Sequence, residues 1–235
     1  MEKQQALFNW SGGKDSTLAL HKVLEEKELA VNYLLTTLSD TYNRVSMHGV
    51  REELLIAQAE SIGIPLYQVR LAESPQMDEY EKTMELHLNK LKQEGISTSV
   101  FGDIFLEDLK IYREKKLSEI GMEAVFPLWK KDTRAILKEF LALGYKTVVV
   151  CAQRGLEAFC GRVIDDDFMD DLPEGIDPCG ENGEFHTFVF DGPLFKHPVG
   201  FVTGEKVYKT YPSPSGSTAE PAGYWYIDLV PYTES

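Results

Sequence analysis

The residues best equipped for chemistry lie in one short run, Ser11-Gly12-Gly13-Lys14-Asp15-Ser16, with Thr17 behind it. Adjacent glycines reach backbone angles closed to other residues and let a ligand approach the main chain closely. The residues after them read as a helix. Its first amides lack internal partners and, with the positive end of the helix dipole, attract an anion. Lys14 adds a positive charge, and Ser16 and Thr17 add hydroxyl donors. The run is a phosphate cradle. The alternative is a glycine-rich turn capped by Asp15 or Ser16, with no ligand. Two common cradles are excluded by spacing. A Walker A loop has four residues between its first glycine and Gly-Lys-Ser/Thr, and a dinucleotide loop has three spaced glycines.

Such a cradle must be held between a strand and a helix, and the flanking residues supply both. Gln5 to Trp10 is a short apolar strand, and Thr17 to Leu24 carries apolar residues at helical spacing. Alternation then continues. Strands are expected at 31–38, 66–71, 97–102, 123–126 and 146–151, with helices at 51–62, 77–94, 112–120 and 132–143 between them. The pattern predicts an α/β fold, a parallel sheet with helices on both faces, whose ligands bind at the carboxyl ends of the strands. Beyond Cys151 the pattern changes. Short strands at 185–189, 199–203, 206–211 and 224–230 predict a smaller C-terminal α+β domain, with 211–223 a loop. The domains divide near Pro127, as 1–126 and 127–235.

Composition narrows the partners. A net charge of −14, carried equally by the stretches before and after Phe126, speaks against a nucleic-acid partner. No apolar run approaches the ~20 residues of a membrane helix. The first residues lead straight into strand and motif, so no signal peptide is expected. Cys151, Cys160 and Cys179 are odd in number and form no Cys-x-x-Cys pair, which argues against a disulfide scaffold or zinc site. A reducing cytoplasm is the expected compartment. From Val163 to Phe195 there are ten acids and no Lys or Arg. The cluster at 165–171 reads as a solvated loop, and Trp10 and Trp129 as core.

Ser-Gly-Gly-Lys-Asp-Ser after an N-terminal strand resembles the PP-loop of the ATP pyrophosphatases, which cleave ATP between its α and β phosphates. Further stretches narrow the resemblance. These are 44–51 around His48, Gly102-Asp103-Ile104, 126–129, and above all 179–189 with 191–195. Together they resemble the diphthine–ammonia ligase family, over nearly the whole chain. That family amidates a carboxylate with ammonia and ATP. Its usual Gly-Glu-Gly-Gly-Glu-Tyr/Phe-Glu-Thr departs here, with Asn182 for the middle glycine and His186 for the final acid, as in the short bacterial branch. Bacteria carry no diphthamide, so the acceptor stays open.

The resemblance implies a Rossmann-like sheet, ATP and Mg²⁺ as cofactors, and roles for particular residues. Ser11, Gly12, Gly13, Lys14, Ser16 and Thr17 would bind the departing pyrophosphate. Asp15 or Asp103, beside Gly102, would stand near the metal and α-phosphate. His48 would meet adenine or phosphate, and Arg51 either reaches a phosphate or sits in the first turn of its helix. Glu181, Glu184 and His186 fall to the acceptor side, where a base must take a proton from ammonium. With Phe185, Phe188 and residues 224–226 they would make a cage for a cationic carboxylate. A homodimer is open. Competing readings are a tRNA thiolase or lysidine-type ligase, which needs reactive cysteines and a basic footprint, and an ATP-binding sensor without turnover.

Overall fold

The structure, a computed structural model, describes residues 3–45, 48–72, 76–211 and 222–232. Five parallel strands form the first sheet, in the order β4 (Leu66–Leu71), β2 (Leu29–Ser39), β1 (Gln4–Asn9), β5 (Thr98–Val100) and β6 (Glu123–Val125). The chain builds outward from β1 to one side, then returns to start β5 on the other. Strand direction of growth therefore reverses between β1 and β5, and a crevice opens at their carboxyl ends. The glycine run leaves β1 at that crevice. β2 outruns β1, and its spare edge at Leu38 and Ser39 takes a two-residue antiparallel strand, β3 (Arg44–Val45). The sequence pattern gave no sign of β3, because two residues carry no periodicity.

Helices cover both faces. α1 (Lys14–Glu26) and α2 (Glu52–Ile62) lie on one, with Leu18, Leu20, Leu54 and Leu55 fully buried beside Phe8 and Leu34. α3 (Met77–Gln93) and α4 (Glu107–Glu119) lie on the other, around Leu7, Leu35 and Val69. Successive residues of β1 thus feed opposite cores, which is why both parallel strands read as unbroken apolar runs. α4 starts five residues earlier than the helix expected at Tyr112. Its first turn, Glu107 and Asp108, is acidic and suits the positive end of the helix dipole.

The second sheet is antiparallel, in the order β8 (Phe185–Asp191), β7 (Lys146–Gln153), β10 (Ala222–Pro231) and β9 (Phe201–Tyr211), preceded by α5 (Thr133–Ala142). Asp132 caps α5, its carboxylate accepting from the Ala135 amide at 2.8 Å. The two strands expected at 199–203 and 206–211 are one. Gly204 lets the chain pass Asp228 where the pairing with β10 shifts register. The acidic stretch is not merely a solvated loop. Phe168 and Met169 are buried in the short helix α6 (Phe168–Asp171), and Arg162 pairs with Asp165 and Asp171 on either side. The expected loop 211–223 falls largely on residues 212–221, outside the described residues.

One core runs through both sheets. Val148, Val149, Phe185 and Phe188 of the antiparallel sheet belong to the same buried cluster as Leu18, Leu20, Leu54 and Leu55 of α1 and α2. Polar seams close the same junction. Arg51, the N-cap of α2, and Arg44 both grip Asp228 of β10, with Arg51 bidentate at 3.1 and 2.7 Å. These two cations push the Asp228 carboxyl down to about 2. Arg51 therefore holds a carboxylate rather than a phosphate. Ser61 on α2 exchanges hydrogen bonds with the His197 backbone.

Candidate functional site

The glycine run turns from β1 into α1 through Gly12 at φ +78°, the left-handed position, and Gly13 in extended conformation as the N-cap. Gly12 carries the conformational demand. Gly13 is needed for a different reason. A Cβ there would lie 3.1 Å from the Thr187 carbonyl oxygen, because β8 docks on the loop. Val189 donates its amide to the Gly12 carbonyl at 2.9 Å, and the Lys14 amide donates to Thr187 Oγ1 at 3.0 Å. Gln58 Nε2 bridges the same seam, donating to both the Gly12 and Val189 carbonyls. Gly102 closes the other side, where a Cβ would meet the Ser16 backbone at 3.0 Å. Strand β5 and helix α1 touch there main chain to main chain.

Hydroxyls hold the loop's own shape. Ser16 and Thr17 both donate to the Gly13 carbonyl at 2.9 Å, and Ser11 Oγ lies 3.0 Å from Ser16 Oγ. Thr17 is fully buried, so its hydroxyl faces the loop interior instead of a ligand. Lys14 is buried too, with its ammonium 2.8 Å from Asp15 Oδ2, against the Cys179 carbonyl, and 5.2 Å over the Phe185 ring. Burial opposes its charge, but Asp15, Cys179 and Glu181 outweigh burial and leave the Lys14 pKa raised. It stays an ammonium.

Ser11, Gly13, Lys14, Asp15, Ser16, His48, Gly102, Asp103, Glu181 and His186 line one cavity of about 1200 Å³. Residues expected from four separate stretches are thus brought together. Glu181 reaches it from the turn before β8 and accepts the Ile104 amide at 2.7 Å. Burial, with Asp15 and Asp103 nearby, pushes its carboxyl up to about 7. Asp103 is likewise raised by burial, against the pull of Arg113, whose guanidinium stands 2.8 Å away. His48 and His186 stack on each other, ring centroids 4.3 Å apart. Burial lowers both imidazoles, His186 to about 4 with help from Lys14, so near pH 7 they are neutral. His48 thus lines the cavity with one ring face against His186.

Other expectations fail for clear reasons. Glu184 is 5% exposed and turns into its own loop, accepting from the Asp177 amide, the Asn182 amide and the Asn182 side chain. It shapes the turn that presents Glu181. The cage of carboxylates and aromatics does not form either. Phe188 lies in the core, Phe185 lines the cavity wall with Lys14 over its ring, and of residues 224–226 only Tyr224 reaches the cavity. Trp10 is core as expected, donating to Gln58 Oε1, whereas Trp129 is half-buried beneath Lys110. Thr187, Gln58 and Arg113 were missed. Gln58 had a signal, a lone amide in the apolar stripe Leu54-Leu55-Ala59 of α2.

The donor set suits a magnesium ion held chiefly through phosphates. Asp15 Oδ1 is buried without a hydrogen-bond partner among the described residues, while Oδ2 is held by Lys14. No group of three or more potential ligands converges among those residues, so the protein alone makes no closed metal cage. None of the helices described is long and apolar enough to cross a membrane.

Comparisons with known proteins agree with this layout. Residues 3–124 match the family model for the diphthamide synthase N-terminal domain, and residues 132–212 that for the C-terminal domain. A diphthine–ammonia ligase of Rattus norvegicus is 24% identical over 225 residues, spanning 84% of this chain and 82% of the relative. That of Danio rerio is 27% identical over 215 residues, spanning 80% and 83%. The Schizosaccharomyces pombe protein is 24% identical, over 84% of this chain but 36% of its own length. Among solved structures, the U34-tRNA thiolase NcsA of Methanococcus maripaludis aligns over 60% of this chain and 57% of its own, at 21% identity and a TM-score of 0.36.

Proposed function

Because the chain belongs to the diphthamide synthase family, we propose that it is an ATP-dependent amide ligase, activating a carboxylate as its acyl adenylate and passing the acyl group to ammonia. One observation carries the reading. A buried, charged Lys14 at a helix N-terminus and a carboxyl poised near pH 7, Glu181, line the same cavity. Phosphate binding alone has no use for the second group.

The carboxylate oxygen attacks the α-phosphorus of ATP, and the bond to the α,β-bridging oxygen breaks with pyrophosphate leaving. The charge gathering on that leaving group meets Lys14, the first-turn amides of α1 and the hydroxyl proton of Thr187. Gly102 keeps the α-phosphate side clear of side chains. Asp15 and Asp103 would hold Mg²⁺, which when bound neutralises charge on the phosphates. In the second step Glu181, about half ionised near pH 7, takes a proton from ammonium. The freed nitrogen attacks the acyl carbon, AMP leaves, and the amide sheds its extra proton. Glu184 positions Glu181, and the neutral histidine pair walls the site.

The cysteines speak against thiolation. Burial pushes the Cys151 thiol up to about 12, Cys160 up to about 11, and Cys179 further, so none is a ready thiolate. Incubation with ATP, Mg²⁺, ammonium and candidate carboxylates should release AMP and pyrophosphate in step with amide. ADP and phosphate would overturn the reading, and ATP binding without product would make the chain a sensor.

A further inference from the structure

The cavity exceeds what its polar floor requires. Small-molecule pockets run to roughly 300–1,000 Å³, and the excess here extends from the glycine loop between α3 and α4. Helix α3 carries an apolar stripe, Met77, Tyr80, Met84, Leu88 and Leu91, at the spacing that places side chains on one face. Such a stripe is normally buried, yet Leu91 is the only buried residue of α3, and Leu117 the only one of α4. Tyr80, Met84 and Leu88 are partly buried against the core and turn their remaining surface to the cavity, opposite Leu109 and Leu117.

At the inner end of this arm stands Arg113. Its guanidinium lies 4.3 Å over the Phe101 ring and 2.8 Å from Asp103, which follows the glycine that touches the phosphate loop. A guanidinium carries five N–H donors, so pairing with one carboxylate leaves capacity for a second. The other cations of the cavity wall are engaged elsewhere. Lys14 serves the phosphate loop, and Lys116 pairs with Glu81, which also accepts from Tyr112.

We propose that the arm between α3 and α4 is the acceptor subsite, taking a carboxylic acid with an elongated apolar body. Its carboxylate meets Arg113 beside the α-phosphate position, and its body lies along Met84, Leu88 and Leu109. The proposal rests on the ligase reading for the acid's fate, though not for its binding. It replaces an acceptor with a cationic body by one whose body is apolar.

The test is calorimetric titration of the whole protein, with α,β-methylene-ATP present, against acetate, butyrate, hexanoate and octanoate, and against 4-(trimethylammonio)butyrate. Affinity should rise about 3–4-fold per added methylene, the scale for burying one CH₂. Met84→Glu should weaken octanoate at least ~10-fold and leave the nucleotide analogue unchanged; Leu109→Glu on the facing helix repeats this if the first variant misfolds. Arg113→Gln should weaken every acid by a similar factor. Affinity independent of chain length would overturn the proposal, as would tighter binding of the trimethylammonium acid than of hexanoate. Equal loss of nucleotide affinity in Met84→Glu would also overturn it, because the arm would then hold the nucleotide. Rising affinity, with no AMP released when ATP and ammonium replace the analogue, supports the subsite and defeats the ligase reading alone. AMP release with flat affinity does the reverse.

Discussion

The two faces of the parallel sheet are built to different standards. On one, α1 buries Leu18, Ala19, Leu20 and Val23, and the antiparallel sheet seals it from behind. On the other, seventeen residues of α3 bury a single leucine. The tight face carries the phosphate loop, whose atoms must be fixed to fractions of an ångström. The loose face borders the space where a variable reactant must enter. Rigidity and room are divided between opposite sides of one sheet, and substitutions can test that division.

The largest effect belongs to the tight face. Leu18→Ala should cost about 2–5 kcal/mol in denaturant unfolding, since a fully buried leucine leaves a cavity. An effect below ~1 kcal/mol would mean that this face is no better packed than its opposite. Next is Lys14→Ala, expected to slow AMP release by ~10²-fold or more, the scale for a group aimed at developing charge. Near-normal turnover would remove Lys14 from the chemistry. Gly13→Val should follow, costing about 1–3 kcal/mol of stability as its side chain meets the Thr187 carbonyl. Nucleotide affinity should fall in the same variant, and thermal melting with and without ATP reads both.

Two groups of the shared cavity bend stability with pH in opposite senses. The Glu181 carboxyl ionises at about 7 when folded and at its ordinary 4.5 when unfolded, so its contribution declines as pH rises through that window. His186 protonates at about 4 when folded and 6.5 when unfolded, so its contribution declines as pH falls from 6.5 toward 4. Between about pH 4.5 and 6.5 they offset each other. Glu181→Gln should therefore steepen the rise of Tm from pH 5 to 6.5, and an unchanged slope would show that Glu181 is not desolvated. The smallest effect is expected on the loose face. Leu86→Gln, at a position 70% exposed, should stay within about 0.5 kcal/mol. A larger loss would mean that α3 is covered by something in solution.

The tight face was legible in sequence and the loose one was not, for physical reasons. Ser11 to Ser16 announce their conformation locally, because adjacent glycines before a helix admit few geometries. Strands β1, β2 and β4 and helices α1, α2 and α3 followed from apolar periodicity. Tertiary partners left no such mark. That Thr187 would cap the Lys14 amide depends on residues 173 positions apart. Glu184 looked like a reacting acid because the resembling stretch 179–189 assigns it with Glu181 to the acceptor side, yet three donors of its own loop claim it. The apolar stripe of α3 reads in sequence as an ordinary amphipathic helix, and only the structure reveals that it is partly buried and also lines the cavity.

The docking of β8 on the glycine loop bears on how the molecule is made. All six loop residues emerge early in synthesis, but the groups that hold Gly12 and Lys14, on Thr187 and Val189, belong to the last quarter of the chain. Contacts so distant in sequence form late, after the ends of a long intervening segment have been brought together. A nascent chain that has completed its parallel sheet therefore still lacks a finished phosphate loop. On the proposed function, the site for nucleotide would be complete only when the antiparallel sheet folds onto that loop.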